Sequence, residues 1–338
     1  MKAIIHIGTE KTGTTTLQGF IKKNRNKLLE SGYYIPLSIG DGNNRGLASC
    51  AMEESRLDDF YHAQGINTKV ARAEHDKHLL ADLKAEMVSL GKKYHTVIFT
   101  SEHFHSRCVS QDEVNNVKGI LTPYFEEFEI IVYLRPQVDM AVSLYSTYLR
   151  SGSYSKFDDF LEKHCSSDNP YYDYGNLLKK WSRTFGEQNI RVRIFDRNSM
   201  INKDVVDDFF AAVGFENCLS NFERVKNLNE SLTPFGQEVL RLCNFYNYSF
   251  LVDDISFKNK LSQLINKNFV GKGYSPSASL AKKIQGGFEA LNSEVAKKWF
   301  NKEKLFDFDF EAYGEGRCLE EEYKEILEFL FSSYQVKS

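Results

Sequence analysis

The sequence contains little that would divide it into separate parts. Only six of its 338 residues are proline, and no stretch rich in proline, glycine or serine marks a linker. Internal repeats and low-complexity tracts are also missing. These absences favour one domain over residues 1–338 rather than several domains joined by flexible segments.

Cysteine is scarce and scattered. No Cys-x-x-Cys pair is present, and the cysteines lack the grouped spacing of a zinc site, so we expect no metal site. We expect the thiols to stay reduced in a cytoplasmic protein. The six cysteines are Cys50, Cys108, Cys165, Cys218, Cys243 and Cys318.

A basic excess and long apolar runs are missing too. The net charge is −3 and the pI is about 6.3, which argues against a general nucleic-acid binder. No apolar run approaches the roughly 20 residues of a membrane span, and Met1-Lys2 leads directly into a strand-like segment, so we expect neither a span nor a signal peptide. The hydrophobic content of 42% is ample for a globular core.

The most informative stretch is the N-terminus. An apolar run, Ala3–Ile7, stops at Gly8, and a turn containing Lys11 and Gly13 leads into Thr14–Thr16 and a helical pattern. A strand that breaks into such a turn and reopens as a helix presents several unpaired backbone N–H groups, which favour an anion. The lysine adds positive charge and the threonines add hydroxyl donors. The stretch predicts a phosphate-type cradle, although threonines that merely cap a helix are the simpler reading.

The remaining pattern predicts an α/β fold. Short apolar segments alternate with amphipathic ones, which indicates a parallel sheet covered by helices. We predict a P-loop-like sheet of about five strands in the order 2-3-1-4-5, formed by residues 1–215, with residues 216–338 as a helical extension. The predicted strands are Ala3–Ile7, Tyr33–Leu37, Thr96–Thr100, Glu129–Leu134 and Ile190–Phe195.

Helical periodicity covers most of the remaining chain. Residues 40–63 are the exception, because they are polar and irregular, and they either lie over a site or are simply solvated. The predicted helices are Thr14–Leu29, Ala71–Leu90, Asp112–Leu121, Gln137–Arg150, Phe157–His164, Tyr174–Phe185, Asp204–Val213, Thr233–Tyr246, Ser279–Leu291, Glu294–Phe300 and Leu319–Tyr334.

Polar residues follow the third and fourth predicted strands. Ligands of open α/β sheets bind beyond the carboxyl ends of the strands, and the predicted order places Glu102 and Arg135 on either side of the Lys11 turn. Glu102 is our first candidate for a general base, followed by His103 and His105. The alternative is that Glu102 has a structural role only, as a helix cap or as a partner in an ion pair.

Arg135 and Ser143 suit a phosphate dianion, since a guanidinium and a hydroxyl are both good donors to it. A routine ion pair between Arg135 and Asp139, with Ser143 on the surface, is the alternative.

Two of these motifs resemble those of sulfotransferases that use 3′-phosphoadenosine 5′-phosphosulfate (PAPS). The segment Lys11–Thr15 is similar to the Lys-Thr-Gly-Thr-Thr loop that binds the 5′-phosphosulfate in many carbohydrate-acting members. Arg135, Pro136, Asp139 and Ser143 resemble the 3′-phosphate motif Arg-x-Pro-x-Asp-x-x-x-Ser-x-Tyr, with one residue fewer between arginine and proline.

The resemblance implies transfer of a sulfuryl group from PAPS to a hydroxyl or amine, with a carbohydrate as the expected acceptor and no metal. It implies that Lys11 stabilises the departing phosphate, and that Arg135 and Ser143 bind the 3′-phosphate. Lys272, in a Gly-Lys-Gly loop, resembles more weakly the phosphate-contacting loops of other members. The residues that would hold the 5′-phosphate are Lys11, Thr12, Gly13, Thr14, Thr15 and Thr16.

Two other functions stay open at this stage. A small-molecule kinase would use Mg-ATP on the same fold, but its loop reads Gly-x-x-x-x-Gly-Lys-Ser/Thr, whereas Lys11 precedes Gly13. A catalytically silent nucleotide-binding protein would keep the loop and lack turnover.

Overall fold

The computed structural model describes residues 1–215, 219–225, 231–245 and 263–313. The strands are β1 Lys2–His6, β2 Tyr33–Tyr34, β3 Thr96–Thr100, β4 Glu127–Leu134 and β5 Ile190–Ile194. The helices are α1 Thr14–Lys23, α2 Arg25–Glu30, α3 Arg45–Ala51, α4 Asp59–His62, α5 Lys69–Leu90, α6 His103–Arg107, α7 Gln111–Leu121, α8 Gln137–Arg150, α9 Phe157–His164, α10 Tyr174–Phe185, α11 Val205–Ala212, α12 Pro234–Phe245, α13 263–268, α14 Ala278–Gly286 and α15 Glu289–Phe300.

The chain divides into two compact units. The first comprises Met1–Arg135 and Asp173–Leu228, and the second comprises Pro136–Tyr172 and Asn229–Ser338. The prediction of one domain, made of an α/β part (1–215) and a helical extension (216–338), stays a prediction. Among the described residues, none of the helices combines the length and apolar composition that crossing a bilayer requires.

The first unit is built on an all-parallel sheet in the predicted order. Its five strands run β2-β3-β1-β4-β5, so β1 lies between β3 and β4. Apolar residues of the sheet pack with α1 and α11 in one buried cluster, which stabilises the unit chiefly by removing apolar surface from water. The cluster includes Ile4, Leu17, Phe20, Ile98, Ile131, Tyr133, Phe209 and Phe210. The α/β prediction and the strand order are confirmed.

The second unit, where described, is helical apart from an isolated bridge between Leu232 and Val270. Its interior holds hydrogen-bonded amides, because a buried polar group must find a partner. The Gln137 Nε2 donates to Asn292 Oδ1 at 2.8 Å, and Gln285 Nε2 donates to Gln137 Oε1 at 2.8 Å. The predicted helical last third is confirmed as far as it is described, and the predicted helix Leu319–Tyr334 lies outside the described residues.

Several features differ from the predicted elements, among them the division of the predicted helices Ser279–Leu291 and Glu294–Phe300, which lies between Gly286 and Glu289. The predicted helix Thr14–Leu29 is two helices, because Asn24 leaves the helical conformation and its amide side chain bonds the backbone of Phe20 and Glu223. The second strand is shorter than predicted, ending two residues before Pro36, a residue that cannot donate to a sheet ladder. The short helices α3, α4 and α6 were not predicted, since four to seven residues show no clear period.

Candidate active site

The turn after β1 is shaped by left-handed backbone. Gly8 has φ +93°, Gly13 has φ +76° and Lys11 has φ +62°. A side chain at Gly8 would also lie close to Glu102, because an added Cβ would be 3.2 Å from its Cα. Glycine is therefore required at Gly8 both for conformation and for the close approach of the strand-three end.

The N-terminus of α1 has no side-chain cap at its N-cap residue. The N-cap residue Gly13 has no side chain to cap the helix, and the first turn contains no acidic residue. The first N–H groups of a helix have no partner within it. Helix α7 differs, because Ser110 and Glu113 close its N-terminus with a reciprocal capping box. Helix α1 thus lacks the side-chain cap that α7 has, and its first turn carries no negative charge.

The turn is fastened to β4 through Tyr133. The Thr9 N–H and hydroxyl both donate to the Tyr133 carbonyl at 3.0 Å, and the Tyr133 N–H donates to the Gly8 carbonyl at 2.7 Å. Within the turn, the Thr12 hydroxyl donates to the Thr9 carbonyl at 2.6 Å. Thr12 is buried, so its side chain holds the shape of the turn.

Arg135 brings the end of β4 onto the same turn. Its Nη1 donates to the Lys11 carbonyl oxygen at 2.8 Å. The guanidinium carbon lies 5.7 Å from the centre of the Phe195 ring, a cation–π contact, and the Tyr174 hydroxyl donates to the Arg135 carbonyl at 2.6 Å. The structure thus places Lys11 and Arg135 together, as the strand order predicts.

Glu102 follows β3 on the other side of β1. Gln18 Nε2 donates to Glu102 Oε2 at 2.8 Å, and Asn43 Nδ2 donates to Glu102 Oε1 at 3.3 Å. Glu102 occupies the N-cap position of α6 but makes no side-chain cap hydrogen bond. Its carboxylate is therefore held by two side-chain amides rather than by the helix that it precedes.

Two histidines lie next to Glu102. Burial lowers the pKa of His103, while the charge of Glu102 opposes that shift. A lowered pKa keeps the His103 imidazole neutral at pH 7, the form in which it can accept a proton. His105 is buried within α6.

The polar segment 40–63 is anchored to the sheet rather than simply solvated. The Asn44 N–H donates to the Thr100 carbonyl and the Thr100 N–H donates to Asn44 Oδ1, both at 2.9 Å. This pair holds Asn43 beside Glu102. Farther along, Arg45 and Arg107 both bind Asp58 and Asp59, which joins the segment to α6.

The other two predicted ligand residues lie in the second unit. Ser143 is half-buried on α8, and Lys272 is exposed in the segment between α13 and α14. Their part in ligand binding stays a prediction. In the described part of the chain, no three His, Cys, Asp or Glu side chains are grouped as a metal site would need.

The chain has only distant similarity to the known proteins named below. No protein-family model matches the chain. A curated relative, an uncharacterized protein of Archaeoglobus fulgidus, is 25% identical over 216 residues, a match that covers 60% of this chain and 57% of the relative. The chain therefore spans little more than half the length of that relative.

Two similar solved structures are sulfotransferases. The sulfotransferase from Alicyclobacillus acidocaldarius is 18% identical, with a TM-score of 0.39, over 72% of this chain and 94% of that one. The sulfotransferase domain of the Synechococcus PCC 7002 olefin synthase is 13% identical, with a TM-score of 0.35, over 68% of this chain and 81% of that one.

Four residues of the site were not predicted from the sequence: Gln18, Asn43, Tyr174 and Phe195. Gln18 had a usable signal, because it lies one helical turn after Thr14 and so shares its face. The other three reach the site from distant parts of the chain. No local pattern marks such residues.

Proposed function

We propose that the chain is a sulfotransferase that uses PAPS as its sulfuryl donor. The observation that carries the proposal is the hydrogen bond from Arg135 to the Lys11 carbonyl, with Glu102 beside Gly8 on the opposite side of the turn. A lysine, an arginine and a carboxylate residue thus lie on the turn that precedes α1 or beside it. PAPS carries the sulfuryl group to be transferred on its 5′-phosphate.

The turn would hold the 5′-phosphate. Gly13 and Thr14–Thr16 lie at the start of α1, where backbone N–H groups and threonine hydroxyls are the proposed contacts of the phosphate. Lys11 would stabilise the negative charge that grows on the phosphate as sulfur leaves it, which is electrostatic stabilisation of the transition state. The left-handed backbone at Lys11 sets the position of its side chain.

Arg135 would select the 3′-phosphate. A guanidinium presents its N–H donors in a planar fork that matches the oxygens of a phosphate, which is why arginine suits this role. Ser143 and Lys272 are proposed as further phosphate contacts from the sequence motifs alone.

Glu102 would act as the general base. Its carboxylate would take the proton from the acceptor hydroxyl as the acceptor oxygen bonds to sulfur and the bond from sulfur to the phosphate oxygen breaks. His103 is the second candidate, since burial keeps it neutral.

The acceptor is proposed to be a carbohydrate hydroxyl. This rests on the Lys11–Thr15 motif, which resembles that of carbohydrate-acting members. A screen of mono- and disaccharides with labelled PAPS tests it: label transferred to a sugar supports the proposal. Label transferred only to phenols or amines would overturn the carbohydrate part.

A nucleotide titration distinguishes the sulfotransferase from a kinase. We expect 3′,5′-ADP to bind without Mg²⁺, and ATP to bind weakly with or without it. The reason is that Lys11 precedes Gly13 and so lacks the position that grips a β/γ-phosphate beside a metal. Tight Mg-ATP binding with no affinity for 3′,5′-ADP would favour the kinase instead.

A further inference from the structure

The Glu102 carboxylate is held on both of its oxygens by uncharged donors. Gln18 binds Oε2 and Asn43 binds Oε1. An ionised carboxylate has about four acceptor sites, so two hydrogen bonds leave room for the proton of an acceptor hydroxyl. The two amide donors orient the carboxylate through neutral hydrogen bonds.

Gln18 belongs to the helix that opens the phosphate turn. It lies four residues after Thr14, and residues four apart lie on one face of a helix. The α-helix rises about 1.5 Å per residue, so one rigid turn of about 6 Å separates the N–H groups of Thr14 from the side chain that holds Glu102. One element therefore sets both positions.

The turn that carries Asn43 is also tied to this helix. Asp41 pairs with Lys22 of α1 at 2.7 Å and with Arg25 of α2 at 2.8 Å. The adjacent Asn44 is bonded to Thr100 at the end of β3. Asn43 is thus held between α1 and the strand that precedes Glu102.

We propose that Gln18 and Asn43 are positioning residues for Glu102, which fix the base at a set distance from the phosphate turn through α1. This inference rests on the proposed function. In the step concerned, Glu102 accepts the acceptor's proton while the acceptor oxygen forms its bond to sulfur, and the phosphate oxygen leaves with the electron pair of the broken bond.

The test compares Gln18→Met, Asn43→Leu, Glu102→Gln and the double variant Gln18→Met/Glu102→Gln with the wild-type chain. Methionine keeps the length of glutamine and removes its donor. The assay uses labelled PAPS with the disaccharide panel, and with water as the acceptor of the background reaction. Affinity for 3′,5′-ADP is measured by calorimetry, and the Glu102 side chain is located in crystals of each single variant.

We expect Gln18→Met to lower kcat by about 10- to 100-fold, because misplacing a reacting group by about 1 Å can cost that much. Affinity for 3′,5′-ADP should change by less than about threefold, and Glu102 should leave its position in the crystal. In the Glu102→Gln background, Gln18→Met should lower kcat no further, since both changes act on one group. Gln111→Leu is a matched control, because its amide binds Lys180 and Thr184 of α10, and it should keep the wild-type rate.

Three outcomes overturn the inference while the proposed function stands. The first is a wild-type kcat in both Gln18→Met and Asn43→Leu, and the second is an equal loss of kcat from Gln18→Met in the wild-type and the Glu102→Gln backgrounds. The third is a Glu102 side chain that stays in place in the variant crystals. If the wild-type chain neither binds 3′,5′-ADP nor transfers the label, the proposed function fails and the inference fails with it.

Discussion

The residues of this site have different roles. Thr9 and Thr12 keep the turn in shape, since both hydroxyls donate to carbonyl oxygens within the fold. Lys11 supplies charge, and Arg135 joins the turn to the end of β4. Thr9 and Thr12 therefore stabilise the turn, whereas Thr14–Thr16 belong to the first turn of α1.

Lys11→Ala should reduce kcat by about 10²- to 10³-fold, because removing one donor that stabilises a developing negative charge costs about that much. Steady-state transfer from labelled PAPS measures it. Lys118→Ala is a suitable control, since its ammonium binds the Thr184 carbonyl at the last turn of α10. Near-normal turnover in Lys11→Ala would remove the proposed mechanism.

His6 should make stability depend on pH. Burial lowers its pKa to about 3, from an ordinary value of 6.5. Between these values the unfolded chain binds the proton and the folded chain does not, so the free energy of unfolding falls as pH drops below about 6.5, by at most about 1.4 kcal/mol per pH unit. Above pH 6.5 the effect vanishes.

Urea unfolding of the wild-type chain and of His6→Asn from pH 7 to pH 4 measures this dependence. Asparagine does not titrate and can still bond the Thr100 hydroxyl, which His6 Nδ1 contacts at 2.9 Å. The variant should show a flatter decline of stability toward acid pH. Parallel curves would show that His6 contributes nothing to the acid sensitivity.

At the scale of elements, the site depends on which strands flank β1. Because β3 and β4 are its neighbours, the residues that follow them meet the turn from opposite sides. Behind the turn, a buried group joins three elements: Asp208 of α11 accepts hydrogen bonds from Tyr133 of β4 at 2.7 Å and from Arg193 of β5 at 2.5 Å. Tyr133 also holds the turn through its backbone.

Asp208→Asn should lower the free energy of unfolding by about 2 kcal/mol, because the buried carboxylate accepts from Tyr133 and twice from Arg193, and an amide would turn its NH₂ group toward one of these donors. Arg224→Ala is the matched control, since its pairs with Asp204 and Asp207 involve an exposed arginine and should be worth less than about 1 kcal/mol. Chemical denaturation of both variants measures the difference. Equal losses would mean that the buried group does not brace these elements.

At the scale of the whole molecule, nucleotide binding should raise the free energy of unfolding. The chain carries a net charge of −3, so a nucleotide with several negative charges needs the local field of the turn and Arg135. A ligand that binds only the folded state stabilises it by mass action. The proposed site thus predicts a thermal shift that depends on the 3′-phosphate.

At 100 times its Kd, 3′,5′-ADP should raise the free energy of unfolding by about 2.7 kcal/mol, and 5′-AMP at the same concentration should raise it less. Arg135→Ala should abolish the difference between the two nucleotides, because its guanidinium is the proposed partner of the 3′-phosphate. Differential scanning fluorimetry without Mg²⁺ measures both shifts. A difference that survives in Arg135→Ala would place the 3′-phosphate elsewhere.

Much of this protein was determined locally by its sequence. The spacing of apolar residues predicted the five strands and the bounds of β3, α8, α9 and α10, because burial on a sheet or helix face imposes a period on the chain. Gly8 and Gly13 also predicted a tight turn, because glycine readily adopts left-handed backbone, and both have positive φ. The anion cradle that Lys11 suggests there stays a prediction.

Tertiary structure decided what surrounds that cradle. Asn43, Tyr174 and Phe195 contact the site from segments distant in the chain, and Asn24, where α1 ends, bonds the backbone of Glu223. Such contacts join residues far apart in the chain, so the energy that selects them does not exist until the sheet has formed. Local pattern specifies the elements, while packing specifies which side chains meet at the ends of the strands.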